Sequence, residues 1–187
     1  MKTFKKTKLV VAFLLMGIVA ANAQSKNGAG MQYGVKGGVN LSNLKNIDGK
    51  AKIGLTAGVF TQYGFTDKFS LRSEALFSVQ GVKAKGNIEK IKLNYVSLLP
   101  AMARFSPVKR VNIEAGPQFG ILVSKKGGNL RTEDYRKLDY GLAVGVGFHI
   151  IENIEIGARY YLGLRDITKT TGEVKNSVFQ FTLSFGF

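Results

Sequence analysis

Apolar and polar residues alternate with a period of two along most of this chain, and this pattern constrains the fold more than any other feature. It is clearest at the C-terminal end, where Phe or Leu occupies every second position from Phe179 to Phe187, with Gln180, Thr182 and Ser184 between them. Successive side chains of a β-strand point to opposite faces, so the pattern predicts strands with one apolar and one polar face. No helical period competes with it. The sequence therefore predicts an all-β fold.

Eight segments, each about ten residues long or slightly longer, show this alternation. The fourth is the least regular: it has apolar residues on both faces, and Lys92, Asn94 and Arg104 mark its polar face. The predicted strands are residues 31–41, 53–65, 69–79, 91–105, 111–123, 138–148, 154–162 and 178–187.

The connections between these strands alternate strictly between short and long. Short links fall at residues 66–68, 106–110 and 151–153, and long ones at 42–52, 83–90, 125–137 and 165–176. An even number of antiparallel strands with tight turns at one end and long loops at the other is typical of an up-and-down transmembrane β-barrel of the outer membrane. We therefore predict an eight-stranded barrel with periplasmic turns and extracellular loops, in which the first and last strands pair to leave no open edge.

A soluble, lipocalin-like ligand carrier is the alternative, because it would show the same periodicity with its apolar face turned inward. Three features favour the membrane barrel. Glycines and charges share one face, the charges on that face have both signs, and aromatic residues gather at strand ends. The predicted aromatic girdle on the periplasmic side consists of Phe65, Phe69, Phe105, Phe148, Phe185 and Phe187.

The first 23 residues have the pattern of a secretory signal peptide. Four lysines precede an apolar run from Leu9 to Ala21, and the segment ends on Ala21-Asn22-Ala23, a small-x-small cleavage pattern. The run is shorter than the roughly 20 residues that a spanning helix needs. We expect cleavage after Ala23, a barrel domain over residues 24–187, and a fall in formal net charge from +15 to +11 as the four lysines are removed.

Composition argues against an enzyme. The chain has no cysteine and one histidine, His149, so thiolate metal sites and most acid–base catalysts lack their usual residues. No serine–acid arrangement accompanies His149, which we interpret as a structural residue. We predict no catalytic residue, no cofactor and no metal site. Nucleic-acid binding, which a pI near 10.0 suggests, lacks a supporting motif.

The polar face predicts a network of inward-facing charges. Charges in a narrow interior persist only when they are paired and hydrogen-bonded, so we predict a structural plug of ion pairs; a path for protons or small ions is the alternative. Lys36 and Gln118 are candidates to complete the network. The predicted members are Arg72, Glu74, Arg104, Glu114, Asp139, Glu155 and Arg159.

The four long connections carry +8 of the +11 charges expected after cleavage. Such loops complement the phosphates of lipopolysaccharide, and a second interpretation is capture of an acidic extracellular ligand or partner. The predicted basic surface loop contains Lys125, Lys126, Arg131, Arg136 and Lys137.

Several segments resemble the small outer-membrane β-barrel family of Bacteroidetes that is often labelled PorT-like. They are YGVKGGVNLSNL at residues 33–44, LNYVSLLP at 93–100, GPQFGIL at 116–122, DYGLAVGVGF at 139–148 and YYLGLRDI at 160–167. The resemblance implies an outer-membrane barrel of a Gram-negative cell and supplies no catalytic motif. Phe185 and Phe187 resemble the C-terminal signal that the barrel-assembly machinery reads.

Together these observations predict a monomeric, non-enzymatic outer-membrane barrel with a structural or surface-interaction role. Its partners would be membrane lipid, lipopolysaccharide and the assembly machinery. Some relatives are associated with protein export, so a narrow transport or export-accessory component is the alternative, with an unknown surface or export partner.

Overall fold

The computed structural model describes residues 30–45, 50–83, 91–126, 136–166 and 175–187. These residues form one closed antiparallel barrel in which each strand pairs with the next and the last pairs with the first. The predicted fold class is therefore confirmed. The strands are β1 (Met31–Lys45), β2 (Lys50–Gly64), β3 (Phe69–Lys83), β4 (Ile91–Val108), β5 (Val111–Lys126), β6 (Leu138–Ile151), β7 (Ile154–Asp166) and β8 (Lys175–Gly186).

The described residues include no helix long and apolar enough to cross a membrane.

Most strands continue past their predicted ends, mainly toward the long loops. β1 ends at Lys45 and β2 begins at Lys50, so the first long connection is residues 46–49 and not 42–52. The alternation of apolar and polar residues, from which the strand ends were predicted, stops where the strands extend beyond the apolar outer face. Main-chain hydrogen bonding between neighbouring strands continues beyond that point.

The barrel closes where β1 meets β8, as predicted. Val35 lies opposite Phe185 and Leu41 opposite Phe179. At the tight-turn end, the Phe187 amide donates a hydrogen bond of 2.9 Å to the Tyr33 carbonyl oxygen. This pairing leaves no unpaired strand edge at the junction, which the interior of a bilayer requires.

The outward face is apolar and its aromatic residues lie where the alternation placed them. All six phenylalanines of the predicted girdle are exposed, and the rings of Phe69 and Phe105 lie 4.9 Å apart next to the tight turns. Exposed aromatic and aliphatic side chains on a closed barrel match a surface that faces lipid. The inward-apolar arrangement of a soluble lipocalin-like carrier is therefore wrong for this chain.

The predicted inward and outward faces of the fourth strand are correct after the irregularity near Pro100 and wrong before it. Arg104 faces inward, but Lys92 and Asn94 do not share its face. On their side of the irregularity the odd-numbered positions are buried, among them Leu93 and Tyr95. The register of β4 shifts against both neighbouring strands between Leu98 and Ala103. β4 carries one extra residue there, at Pro100–Ala101, and this β-bulge inverts the alternation on either side of it.

The barrel interior is layered. Charged side chains fill the half near the tight turns, and polar side chains such as Asn40 and Ser78 fill much of the other half. Between them lies an apolar layer that the prediction of a polar lumen missed. Its members are Leu76, Leu99, Met102, Ala143, Tyr161 and Val178.

Candidate functional site inside the barrel

Glu74 on β3 is a carboxylate whose side chain is fully buried in the interior. It accepts a hydrogen bond of 2.6 Å from Lys36 Nζ on β1. The Arg159 guanidinium on β7 binds the same carboxylate through two contacts of 2.6 and 2.9 Å. All three side chains are at most 3% exposed. Glu74 therefore joins strands on opposite sides of the barrel.

Glu114 on β5 extends the network on the other side of Arg159. Arg159 Nη2 and Nε lie 2.5 and 2.8 Å from Glu114 Oε1. Arg104 Nε on β4 lies 3.3 Å from Glu114 Oε2. Glu114 and Arg159 therefore each lie between two oppositely charged side chains, which compensates the cost of burying their charges.

Glu155 on β7 is the third carboxylate and lies nearest the tight turns. It receives Arg72 Nη1 at 2.9 Å and Arg104 Nη2 at 2.5 Å, and the Asn112 amide donates to it at 3.1 Å. The Gln62 side-chain oxygen accepts hydrogen bonds from both arginines. The Phe60 ring packs 4.2 Å from the Arg72 guanidinium carbon, which adds a cation–π contact.

These contacts join seven side chains, which we call the ion-pair network, into one alternating series of charges. The series runs Lys36, Glu74, Arg159, Glu114, Arg104, Glu155, Arg72. Each member lies within five residues of the tight-turn end of its strand. The network therefore spans the barrel near its tight-turn end, and four cations against three carboxylates give it a formal charge of +1.

The structure places all seven predicted inward charges inside the barrel, but Asp139 does not join the others. Its carboxylate is buried near the loop end of β6 and accepts a hydrogen bond of 2.9 Å from the Asn176 amide. No salt bridge links Asp139 to another described residue. Its inclusion in the network is corrected, because it lies beyond the apolar layer from the other six.

The two additional candidates separate in the same way. Lys36 is a full member of the network. Gln118 is buried, but its amide oxygen has no hydrogen-bond partner among the described residues. The alternation gave both residues the correct face, but it carries no information on their height along the barrel axis.

His149 borders the network at the tight-turn end of β6. Its Nε2 lies 3.3 Å from Glu155 Oε2, and its amide donates a hydrogen bond of 2.8 Å to the Arg110 carbonyl oxygen. The ring is about one quarter exposed. Within the described ranges, no group of three or more His, Asp or Glu side chains is arranged to hold a metal ion.

The loop end of the barrel is basic. Of the predicted basic surface loop, Lys137 is exposed and Arg136 and Lys125 are half-buried. Lys126 lies in the last position of β5, and Arg131 falls outside the described residues. The strand register adds a feature that the sequence did not reveal, since it pairs lysine positions across neighbouring strands: Lys50 is the register partner of Lys83, and Lys92 is that of Lys126.

Phe185 and Phe187, the predicted assembly signal, both point outward and are about half exposed. Their ring centroids lie 6.4 Å apart at the tight-turn end of the junction between β1 and β8.

A closed eight-stranded barrel with an apolar outer face and a charged interior defines the class of small outer-membrane β-barrels. The sequence profile of the outer membrane protein beta-barrel domain family matches residues 22–169. The chain therefore belongs to this family. A search of curated protein sequences found no match.

Two bacterial surface proteins of known structure are similar to this chain. Neisserial surface protein A aligns with a TM-score of 0.59 and 14% identity over 87% of this chain and 100% of that protein. Ail, the attachment invasion locus protein of Yersinia pestis, aligns with a TM-score of 0.52 and 15% identity over 83% of this chain and 98% of Ail. A second Ail structure, in complex with the heparin analogue sucrose octasulfate, aligns with a TM-score of 0.51 and 17% identity over 84% of this chain and 99% of that chain.

Proposed function

We propose that the protein is a closed, non-enzymatic barrel that acts at the cell surface, where its basic loop end binds phosphate or sulfate groups of anionic saccharides such as lipopolysaccharide. The observation that carries this proposal is the contrast between the two ends of the barrel. Near the tight turns, the buried charges of the ion-pair network compensate one another to within a single positive charge. At the loop end, lysines lie opposite lysines.

The filled interior argues against the alternative of transport. An eight-stranded barrel is just wide enough for its interior to be filled by side chains. Here the ion-pair network and the apolar layer stack along the axis, and Leu99, Met102 and Glu74 are each 4% exposed or less. An ion that passed would have to cross the apolar layer without water and break several buried ion pairs.

The register at the loop end supports anion binding. Like charges directly opposite each other on neighbouring strands destabilise a sheet, and an anion between them removes that cost. Each well-placed cation contributes about 1 kcal/mol to attraction toward an anionic lipid surface. The complex of Ail with a sulfated sugar provides a precedent for this ligand chemistry on a barrel of the same fold.

The proposal also covers the cleavage of the signal peptide and the family relationship of the chain. The lysines and apolar run before Ala23 support export with cleavage after that residue. The segments at residues 33–44 and 139–148 support a closer relationship to the Bacteroidetes PorT-like barrels. We propose no role in protein export, because fold alone does not transfer one.

Calorimetric titration with sucrose octasulfate in detergent micelles tests the surface role. We expect wild-type protein to bind, and the double variant Lys92→Gln/Lys126→Gln to bind at least fivefold more weakly. The matched control, Lys68→Gln/Lys109→Gln, removes the same charge at the tight-turn end and should bind like wild type. Binding should also weaken as salt rises, because exposed charges are screened. Equal loss of affinity in both double variants would contradict a site at the loop end.

Conductance in planar lipid bilayers tests closure. Purified wild-type barrel should give no stable current steps. Reproducible ohmic steps from folded wild-type protein would overturn the closed barrel and favour the transport alternative.

A further inference from the structure

A groove of about 560 Å³ crosses the outer face of the barrel over β6, β7, β8 and β1. It runs along two neighbouring rows of outward side chains that the register places side by side. The first row is Phe148, Ile156, Leu183 and Gly37, and the second is Val146, Ala158, Phe181 and Val39. Its walls are apolar, and its floor includes the main chain at Gly38, Gly147 and Gly157.

Gly37 is the residue that opens the groove, and nothing inside the barrel requires a glycine there. At Gly38, which faces inward, a β-carbon would lie 2.0 Å from the Phe181 carbonyl oxygen, so a side chain cannot fit. At Gly37 a β-carbon would meet only the Thr56 carbonyl oxygen, at 4.0 Å. An outward position in the apolar band ordinarily carries a large apolar side chain, as Val35 and Val39 do on the same strand. Gly37 and the small Ala158 therefore leave an indentation between rows of larger side chains.

The groove has a cationic end. Val111 belongs to its lining and lies opposite Phe148. Lys109 and Arg110 form the tight turn immediately before Val111, and both are exposed. The lining of this elongated apolar depression thus ends at Val111, the residue that follows a turn with two positive charges. That combination matches a phospholipid, which has an apolar chain and a phosphate at one end.

We propose that this groove is a phospholipid-binding site of the periplasmic leaflet, with an acyl chain along Gly37 and Ala158 and the phosphate near Lys109 and Arg110. Van der Waals packing against the groove walls holds the chain, because a lipid tail gains no hydrophobic free energy on moving from the bilayer into the groove, and the turn cations attract the phosphate. The occupant is then a retained lipid, distinct from the exchanging lipids that surround any barrel. The site is separate from the basic loop end, so it stands or falls independently of the proposed surface function.

Native mass spectrometry of the barrel released from membranes in mild detergent tests the site. Wild-type protein should carry one phospholipid at a detergent concentration that strips surrounding lipid. Gly37→Leu fills the groove and should reduce the lipid-bound fraction at least tenfold. Ala75→Leu, which adds an apolar side chain to the outer face of β3 away from the groove, should retain lipid like wild type. Heat-dependent gel mobility confirms that each variant is folded.

A second variant tests the phosphate contact. Lys109→Gln/Arg110→Gln leaves the groove open and should lower the lipid-bound fraction severalfold. Three results would overturn the proposal: wild-type protein without retained lipid, Gly37→Leu that retains lipid normally, or a dimer signal that disappears in Gly37→Leu. The last result would identify a second copy of the chain as the occupant.

Discussion

Removing a single carboxylate from the ion-pair network should cost more stability than removing that carboxylate together with its arginine. Glu114→Gln leaves Arg159 with Glu74 as its only carboxylate and Arg104 with Glu155. The network then holds four cations and two carboxylates. The double variant Glu114→Gln/Arg159→Gln restores a formal charge of +1 and leaves each remaining carboxylate with a cation.

The magnitude follows from the geometry. Charge centres about 4 Å apart attract by about 4 kcal/mol at an effective dielectric constant of about 20. The Glu114→Gln variant loses two such contacts, to Arg159 and Arg104. Part of that lost free energy is offset, because the variant no longer buries a charged carboxylate at this position. Breaking a buried pair from one side costs about 3–5 kcal/mol, so we expect that range for Glu114→Gln. The double variant should cost at least about 1 kcal/mol less, because fewer charges remain uncompensated.

Reversible urea unfolding in lipid vesicles measures both costs. The chain contains no tryptophan, so circular dichroism and the heat-dependent gel shift are the appropriate signals. The slope of the unfolding free energy against urea concentration should be the same for all variants, since they expose the same surface on unfolding. Glu152→Gln in an exposed turn is the control and should change stability by less than about 0.5 kcal/mol. Equal costs for the single and double variants would refute a stabilising network of paired charges.

Three further predictions concern individual residues. Phe187→Ser should lower the amount of heat-modifiable protein in the outer membrane, whereas Phe187→Leu should not; normal levels of the serine variant would argue against an assembly signal. Gly38→Val should prevent closure of the barrel because its β-carbon would meet a carbonyl oxygen at 2.0 Å, and Gly37→Val should fold normally; gel mobility distinguishes them, and equal folding would contradict the close approach at this junction. His149→Gln should lower the free energy of unfolding by less than about 1 kcal/mol, because the ring is partly exposed. Glu155→Gln should lower it by about 3–5 kcal/mol in the same urea assay. Similar losses in the two variants would give the histidine a larger role than its contacts indicate.

The number of strands and most inward and outward faces could be predicted from the sequence because each residue of a regular strand has only two orientations. Arg72 and Glu155 could thus be assigned to the interior with no knowledge of the structure. The prediction was wrong for Lys92 and Asn94, because one extra residue at Pro100–Ala101 inverts the pattern. Pro100 is the signal that could have revealed it, since proline inside a sheet is confined to edge strands, strand starts and bulges.

The height of each residue along the barrel was not predictable. Asp139 and Glu155 have the same alternation signal, but they lie on opposite sides of the apolar layer. The register of neighbouring strands sets that height, and it depends on pairing across the sheet rather than on any local pattern. For the same reason, the lysine pairs at the loop end and the groove around Gly37 became visible only in the structure.

Orientation in the outer membrane is the claim on which the surface role depends. Protease digestion of intact cells, followed by gel electrophoresis of the extracted membrane fraction with and without boiling, tests it directly. We expect a heat-dependent shift in mobility and cuts confined to residues 46–49, 84–90, 127–135 and 167–174. A soluble periplasmic protein without a shift, or cuts confined to the tight turns, would contradict the account.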